Sequence, residues 1–158
     1  MTKEDFEKIK ELEDKARKIE SEAKRLKGSG EYDLSVRRSQ EAFELYLKFI
    51  FTVLDKEVRE IWGHELSSLI DKETEAIKKI LKEYLNFSES YIDEIMARIK
   101  LGSLTLNLWR NLAFYGDEKL KKYKFFKQKE AELALEYVSE LSTLSAWIKN
   151  YFNNKFYS

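Results

Sequence analysis

The chain contains no proline, and this absence narrows its fold more than any motif does. Proline is a strong helix stop, through its ring sterics and its missing N–H. Only five glycines occur in 158 residues. Strand-rich domains need turn residues roughly every 8–12 positions, and this chain does not supply them. Long helices are therefore expected. Hydrophobic residues make up 43% and charged residues 37%, so a core can form under a well-solvated surface. The length suits one domain over residues 1–158. Its core is expected at about residues 2–152, with a short tail at 153–158.

Several function classes drop out early. Cysteine is absent, which excludes disulfides, thiolate metal sites and a cysteine nucleophile. The lone histidine, His64, excludes a histidine-cluster metal site, and no cofactor is expected. The opening MTKEDFEKIKELEDK is charged from its third residue, which predicts no secretory signal. No apolar run approaches the roughly 18 residues of a membrane span, so a cytoplasmic protein without membrane contact is expected. The 29 basic residues balance the 29 acidic ones. That argues against a surface that is one nucleic-acid field, though a local basic patch remains open. The lysine- and glutamate-rich mixture, with glutamine only at 40 and 128, resembles thermophile composition.

Along the chain, Thr2 and Asp5 form a weak capping-box signal. Phe6, Ile9, Ala16, Ile19, Ala23 and Leu26 then make one apolar seam on a helix that ends at Gly28, the expected C′ residue. A second helix is expected from about Asp33 to Val58. Its middle, Ala42–Leu54, is apolar on nearly every face, as in a central helix. The first two helices should form an αα-hairpin. After Trp62-Gly63, a short helix from His64 to Ile70 and an amphipathic one over Lys72–Asn86 are expected. Ser88 should cap the next helix, with a kink or break at Gly102-Ser103 and an end at Gly116. The closing helix is expected over Lys127–Phe152, with Ala131, Ala134, Leu135, Val138, Leu141, Ser145, Ile148 and Phe152 on one face. The fold class is all-α, an up-and-down antiparallel bundle of four to five main helices.

The order of short motifs resembles the HEPN family, the higher-eukaryote and prokaryote nucleotide-binding helical domains. EYDLSVRRSQEAFELYLKFIF (Glu31–Phe51) is similar to the family helix that follows a "gdYdlA" turn. WGHEL (Trp62–Leu66) resembles its "xHdL" helix start. RNLAFYGDE (Arg110–Glu118) stands where the family signature falls, and EAELALEYVSEL (Glu130–Leu141) resembles its closing helix. The resemblance covers roughly residues 2 to 150. It implies a dimerising bundle. Many members are metal-independent ribonucleases, often toxins paired with a minimal nucleotidyltransferase. Their signature is an arginine followed at short range by a histidine, with two protomers sharing one cleft. Carried over, it assigns Arg110 as the arginine and Asn111 as the polar residue after it. After four intervening residues stands Tyr115 in place of the histidine, and Asp117 occupies the position of the family's modified tyrosine.

RNA cleavage through the 2′-hydroxyl needs a proton acceptor and donor, which histidine supplies near neutrality. Tyrosine, with a reference pKa of about 10, is a poor base there. Arg110 can still grip a phosphate in bidentate fashion. The expectation is thus a dimeric binding or interaction module for RNA, a nucleotide or a partner protein, without efficient catalysis. The alternatives are a metal-independent ribonuclease using Arg110, Asn111 and Tyr115, and a purely structural adaptor. Lys119–Lys129 carries six lysines interleaved with Tyr123, Phe125 and Phe126. Lys119, Lys121, Lys122, Tyr123, Lys124 and Lys127 are the candidate RNA or nucleotide contacts, since lysine neutralises phosphate and aromatic rings stack on bases. The competing reading is a solvated loop anchored by its aromatics. His64 is expected as a cap or core hydrogen-bonding residue. Arg37 and Arg38 are expected as a surface pair, one to solvent and one to a carboxylate. Asp117 and Glu118 are expected to cap or form ion pairs. Apolar surface on the N-terminal seam and on the aromatic end (Trp147–Tyr157) predicts a homodimer, with the last helix or the Arg110 region contributing. A nucleotidyltransferase-type protein is a possible partner.

Overall fold

The computed structural model describes residues 1–54, 64–115 and 125–158. Among them are five α-helices and no strand: α1 (Lys3–Gly28), α2 (Tyr32–Val53), α3 (His64–Leu85), α4 (Glu89–Tyr115) and α5 (Gln128–Tyr157). None of these helices is long and apolar enough to cross a membrane.

Local chemistry explains most boundaries. Thr2 caps α1 as expected: the Asp5 N–H donates to Thr2 Oγ1 at 3.1 Å, and the Thr2 N–H donates to Asp5 Oδ2 at 2.9 Å. At the other end, Gly28 is still helical and the C′ role falls to Gly30, whose φ is +80°. The Gly30 N–H donates to the Lys27 carbonyl and the Glu31 N–H to the Leu26 carbonyl, which is a Schellman motif. The left-handed residue is therefore the second glycine. Ser88 caps α4 through the Tyr91 N–H at 3.3 Å.

Two expected breaks are absent. The segments read as separate helices around Asp71 are one helix, α3, because Ile70, Ile77 and Leu81 keep to one buried face and Asp71 pairs with Lys100 at 2.6 Å. The helix ends at Leu85, close to the expected end, with Asn86 in the left-handed region at φ +53°. Gly102 does not break α4. Its missing Cβ is filled by Tyr137 of α5: a Cβ there would lie 2.7 Å from the ring and 3.2 Å from the Tyr137 Cβ. The helix α5 also runs past Phe152, through the segment expected as a tail.

Ion pairs and close contacts set the helix directions. Asp71–Lys100, Lys78–Asp93 and Lys82–Glu89 make α3 and α4 antiparallel. Arg98–Glu140 and Gly102–Tyr137 do the same for α4 and α5. The hairpin α1/α2 and the hairpin α3/α4 are thus closed by α5. α2 touches all four other helices, as its apolar middle predicts, and Tyr46, Phe49, Ile50 and Phe51 are fully buried there.

The α1 seam carries two acids that a hydropathy pattern assigns to solvent. Glu13 is fully buried, and its carboxylate pairs with Arg17 and with Lys149 of α5. Glu20 accepts a hydrogen bond from the Tyr46 hydroxyl at 3.3 Å. Burial pushes the Tyr46 hydroxyl up to about 12. An unfolded tyrosine ionises near pH 10. The unfolded chain therefore loses this proton first, so the Tyr46 contribution is complete below about pH 10 and is lost as pH rises towards 12. In urea titrations over that range, Tyr46→Phe should lose stability less steeply than wild type; equal slopes would refute this.

Candidate functional site

Buried polar groups gather where α2 meets α4. Gln40, Phe43, Glu44 and Leu47 of α2 face Ser103, Leu106 and Asn107 of α4 around a cavity of about 10 Å³. That volume holds one water molecule at most, so a ligand would meet only the mouth of the cleft. Gln40 and Ser103 are almost wholly buried, and Glu44 is nearly so. The Gln40 amide donates to Glu44 at 3.0 Å, and Lys48 pairs with the same carboxylate at 3.1 Å. The buried charge is thus neutralised within α2.

Arg110 lies one turn beyond this layer on α4. Ser103, Asn107 and Arg110 fall at i, i+4 and i+7, on one face of α4. The residue before it, Trp109, packs its ring 5.3 Å from that of Phe126. Asp33, in the first turn of α2, holds the same point: the N–H groups of Phe125 and Phe126 donate to its carboxylate at 3.1 and 2.7 Å. The start of α2, the C-terminal part of α4 and the start of α5 therefore meet at one end of the bundle. Arg37, one turn before Gln40 on the same face of α2, lies at that end with Arg110. Both arginines are partly buried. Two arginines thus stand on α2 and α4 one turn beyond residues that line the cleft, and a guanidinium group suits an anion such as phosphate.

The candidate residues from sequence divide accordingly. Arg110 lies on α4 one turn beyond Asn107, which lines the cleft. Asn111 and Tyr115 have helical backbone in α4, but their side chains fall outside the described residues. Lys119, Lys121, Lys122, Tyr123 and Lys124, with Asp117 and Glu118, also lie outside them. Lys127 is exposed at the N-cap of α5. Phe126 is buried, with the Phe125 ring 5.2 Å away, so these two rings are anchors and do not offer stacking faces. His64 opens α3, and its side chain is likewise outside the described residues. Arg38 pairs with Glu41 at 2.6 Å and Glu22 at 3.3 Å, and Arg37 is partly buried. Glu41 holds the Arg38 proton above its ordinary range.

Arg37, Gln40, Glu44, Ser103 and Asn107 were not singled out as a site by sequence. The available signal was polar residues at helical spacing on an otherwise apolar α2. Among the described residues, no group of three or more potential ligands could hold a metal ion. Part of the surface expected for a partner is internal: Phe6 of the N-terminal seam lies 5.9 Å from Phe152 and 5.5 Å from Phe156 in tilted contacts, and Trp147 lies on Phe87 at 5.1 Å, while Tyr157 stays exposed.

A family model described as the HEPN domain matches residues 9–149. No curated protein matches the chain, and no solved structure does.

Proposed function

The chain belongs to the HEPN-domain family, and from that membership we propose a dimeric binding module that takes a phosphate-bearing ligand, RNA or a nucleotide, without efficient catalysis. The ligand would be held at the mouth of the α2–α4 cleft. The observation that carries this reading is the position of Arg110, on the same face of α4 as buried Ser103 and half-buried Asn107 and at the same end as Arg37. Cations and amides bind and orient a phosphodiester. They do not shuttle protons at neutral pH, and the position of the family's histidine holds Tyr115. A partner protein docking an acidic group at the same mouth would meet the same chemistry.

Filter binding of a single-stranded RNA across salt, with cleavage followed on a gel, tests the reading. Wild type should retain RNA with a steep salt dependence. Arg110→Ala should weaken retention by about tenfold or more and flatten the slope by about one counterion. No cleavage should occur with either protein. Cleavage abolished by Arg110→Ala would instead establish the metal-independent ribonuclease, with Tyr115 in the histidine's place. Absence of retention even at low salt would leave the structural adaptor.

A further inference from the structure

Glu44 and Lys48 place an ion pair inside the apolar middle of α2. Their side chains are only 11% and 14% exposed, and the Lys48 ammonium stands 3.1 Å from Glu44 Oε1. Gln40 donates to the other carboxylate oxygen at 3.0 Å. Among the described residues Oε1 accepts no aligned hydrogen bond, so Lys48 acts on it through charge. Stability is a poor reason for such a pair. Desolvating two ions costs about as much as their attraction returns, and apolar side chains of similar volume are often neutral or stabilising in their place.

The position of the pair gives it another role. Arg37, Gln40 and Glu44 follow at steps of three and four on one face of α2, and Glu44 lines the cleft with Ser103 and Asn107. Two turns of helix separate Glu44 from Arg37, roughly 10 Å at 1.5 Å per residue. That is too far for contact with an anion held at Arg37 and Arg110, and near enough for charge to be felt. Phe43, Leu47 and Leu106 line the same cavity. Apolar walls leave a buried charge weakly screened and focus its field along the cleft. At that distance, with an effective dielectric of about 20, one unit charge changes the affinity for a monovalent anion by roughly tenfold.

We infer that the Glu44–Lys48 pair sets the anion affinity of the α2–α4 cleft from a distance. Lys48 cancels a buried negative charge that would otherwise repel phosphate from the arginines, and Glu44 in turn limits the positive charge that the cleft presents. Neither side chain touches the ligand. The inference rests on the anion-binding reading above and adds to it two positioning residues whose removal has opposite effects.

Filter binding of single-stranded RNA at low salt reads those signs. Glu44→Gln keeps the shape and an acceptor for the Gln40 amide and uncovers the Lys48 charge. It should tighten retention by about three- to tenfold, with a steeper salt dependence. Lys48→Met keeps the length, leaves Glu44 uncancelled and should weaken retention by about tenfold. The double variant, with neither charge, should fall between the two. A pair that served packing alone would give no tightening, because disturbing the cleft cannot improve it. Urea midpoints give the folded fraction of each protein. If Lys48→Met fails to fold, Glu44→Gln and the double variant still decide the sign. A folded Glu44→Gln protein that binds no tighter than wild type, or a double variant that binds tighter than Glu44→Gln, would overturn the inference and leave the anion site standing. Wild type that retains no RNA at low salt would remove the anion site and this inference together.

Discussion

Gly102→Val should destabilise the protein by about 2–4 kcal/mol, read as a lower urea midpoint at constant slope. The first atom added to Gly102 would stand 2.7 Å from Cδ1, 3.0 Å from Cγ and 3.2 Å from Cβ of Tyr137. The last two atoms sit close to the α5 backbone and cannot swing away as a flexible tip would. The helices themselves must separate. Valine adds two more methyl groups and a χ1 restriction in mid-helix. Gly102→Ala should cost less, because about 1 kcal/mol of helix propensity offsets part of the overlap. Replacing Tyr137 by Ala should make Gly102→Val milder than it is alone, giving a coupling of about 1 kcal/mol or more in a double-mutant cycle. A Gly102→Val protein within about 0.5 kcal/mol of wild type would mean that α4 and α5 do not approach so closely.

The same glycine marks a limit of sequence reading. Gly102-Ser103 looks like a break because nothing nearby says that Tyr137 will lie against it. Close approach is a property of two helices, and a local pattern describes one. Where burial follows the 3.6-residue period, the sequence was transparent. Ala131, Ala134, Leu135, Val138, Leu141, Ser145, Ile148 and Phe152 are all buried on α5 as their spacing predicts. Phe6, Ala16, Ala23 and Leu26 are likewise buried on α1. Glu13 and Glu20 fall on that α1 seam too, but a charge scores as solvent-facing until its partners are known. Lys149 lies in the last helix, and Tyr46 in the second.

The site was legible only in part, for the same reason. Arg110 was found through its place in a family-like run of residues, which carries no geometry. Gln40 and Glu44 interrupt an apolar helix, yet they become a site only because α4 brings Ser103 and Asn107 opposite them. Asp33 belongs to the same class. Its carboxylate accepts two backbone N–H groups more than ninety residues away, fixing the start of α5 beside the cleft. Charge-assisted bonds of this kind contribute about 1.5–3 kcal/mol each. The buried polar layer therefore fixes how α2, α4 and α5 meet at the end of the bundle that holds Arg110.

Phe6→Ala is expected to be the counterpart of Arg110→Ala: a large loss of stability with no loss of ligand affinity. Phe6 is fully buried, and its ring packs on Phe152 and Phe156 near the end of α5. Truncation removes that burial and opens a cavity that the two remaining rings fill only partly. The cost should be about 3–5 kcal/mol. Among the described residues, α1 packs on α2 and α5 and does not reach α4. Phe6 and the Glu13–Lys149 pair sit at the opposite end from Asp33, Trp109 and Arg110. The variant should therefore unfold at lower urea, yet bind RNA per folded molecule as wild type does when assayed cold, where it remains folded. Arg110→Ala should do the reverse, with a near-normal midpoint and weak retention. If Phe6→Ala shifts the midpoint by less than about 1 kcal/mol, the start of α1 is not docked on α5 as described. If it weakens RNA binding by the folded fraction, the ligand surface extends along α1 and α5, and the cleft between α2 and α4 is not the whole site.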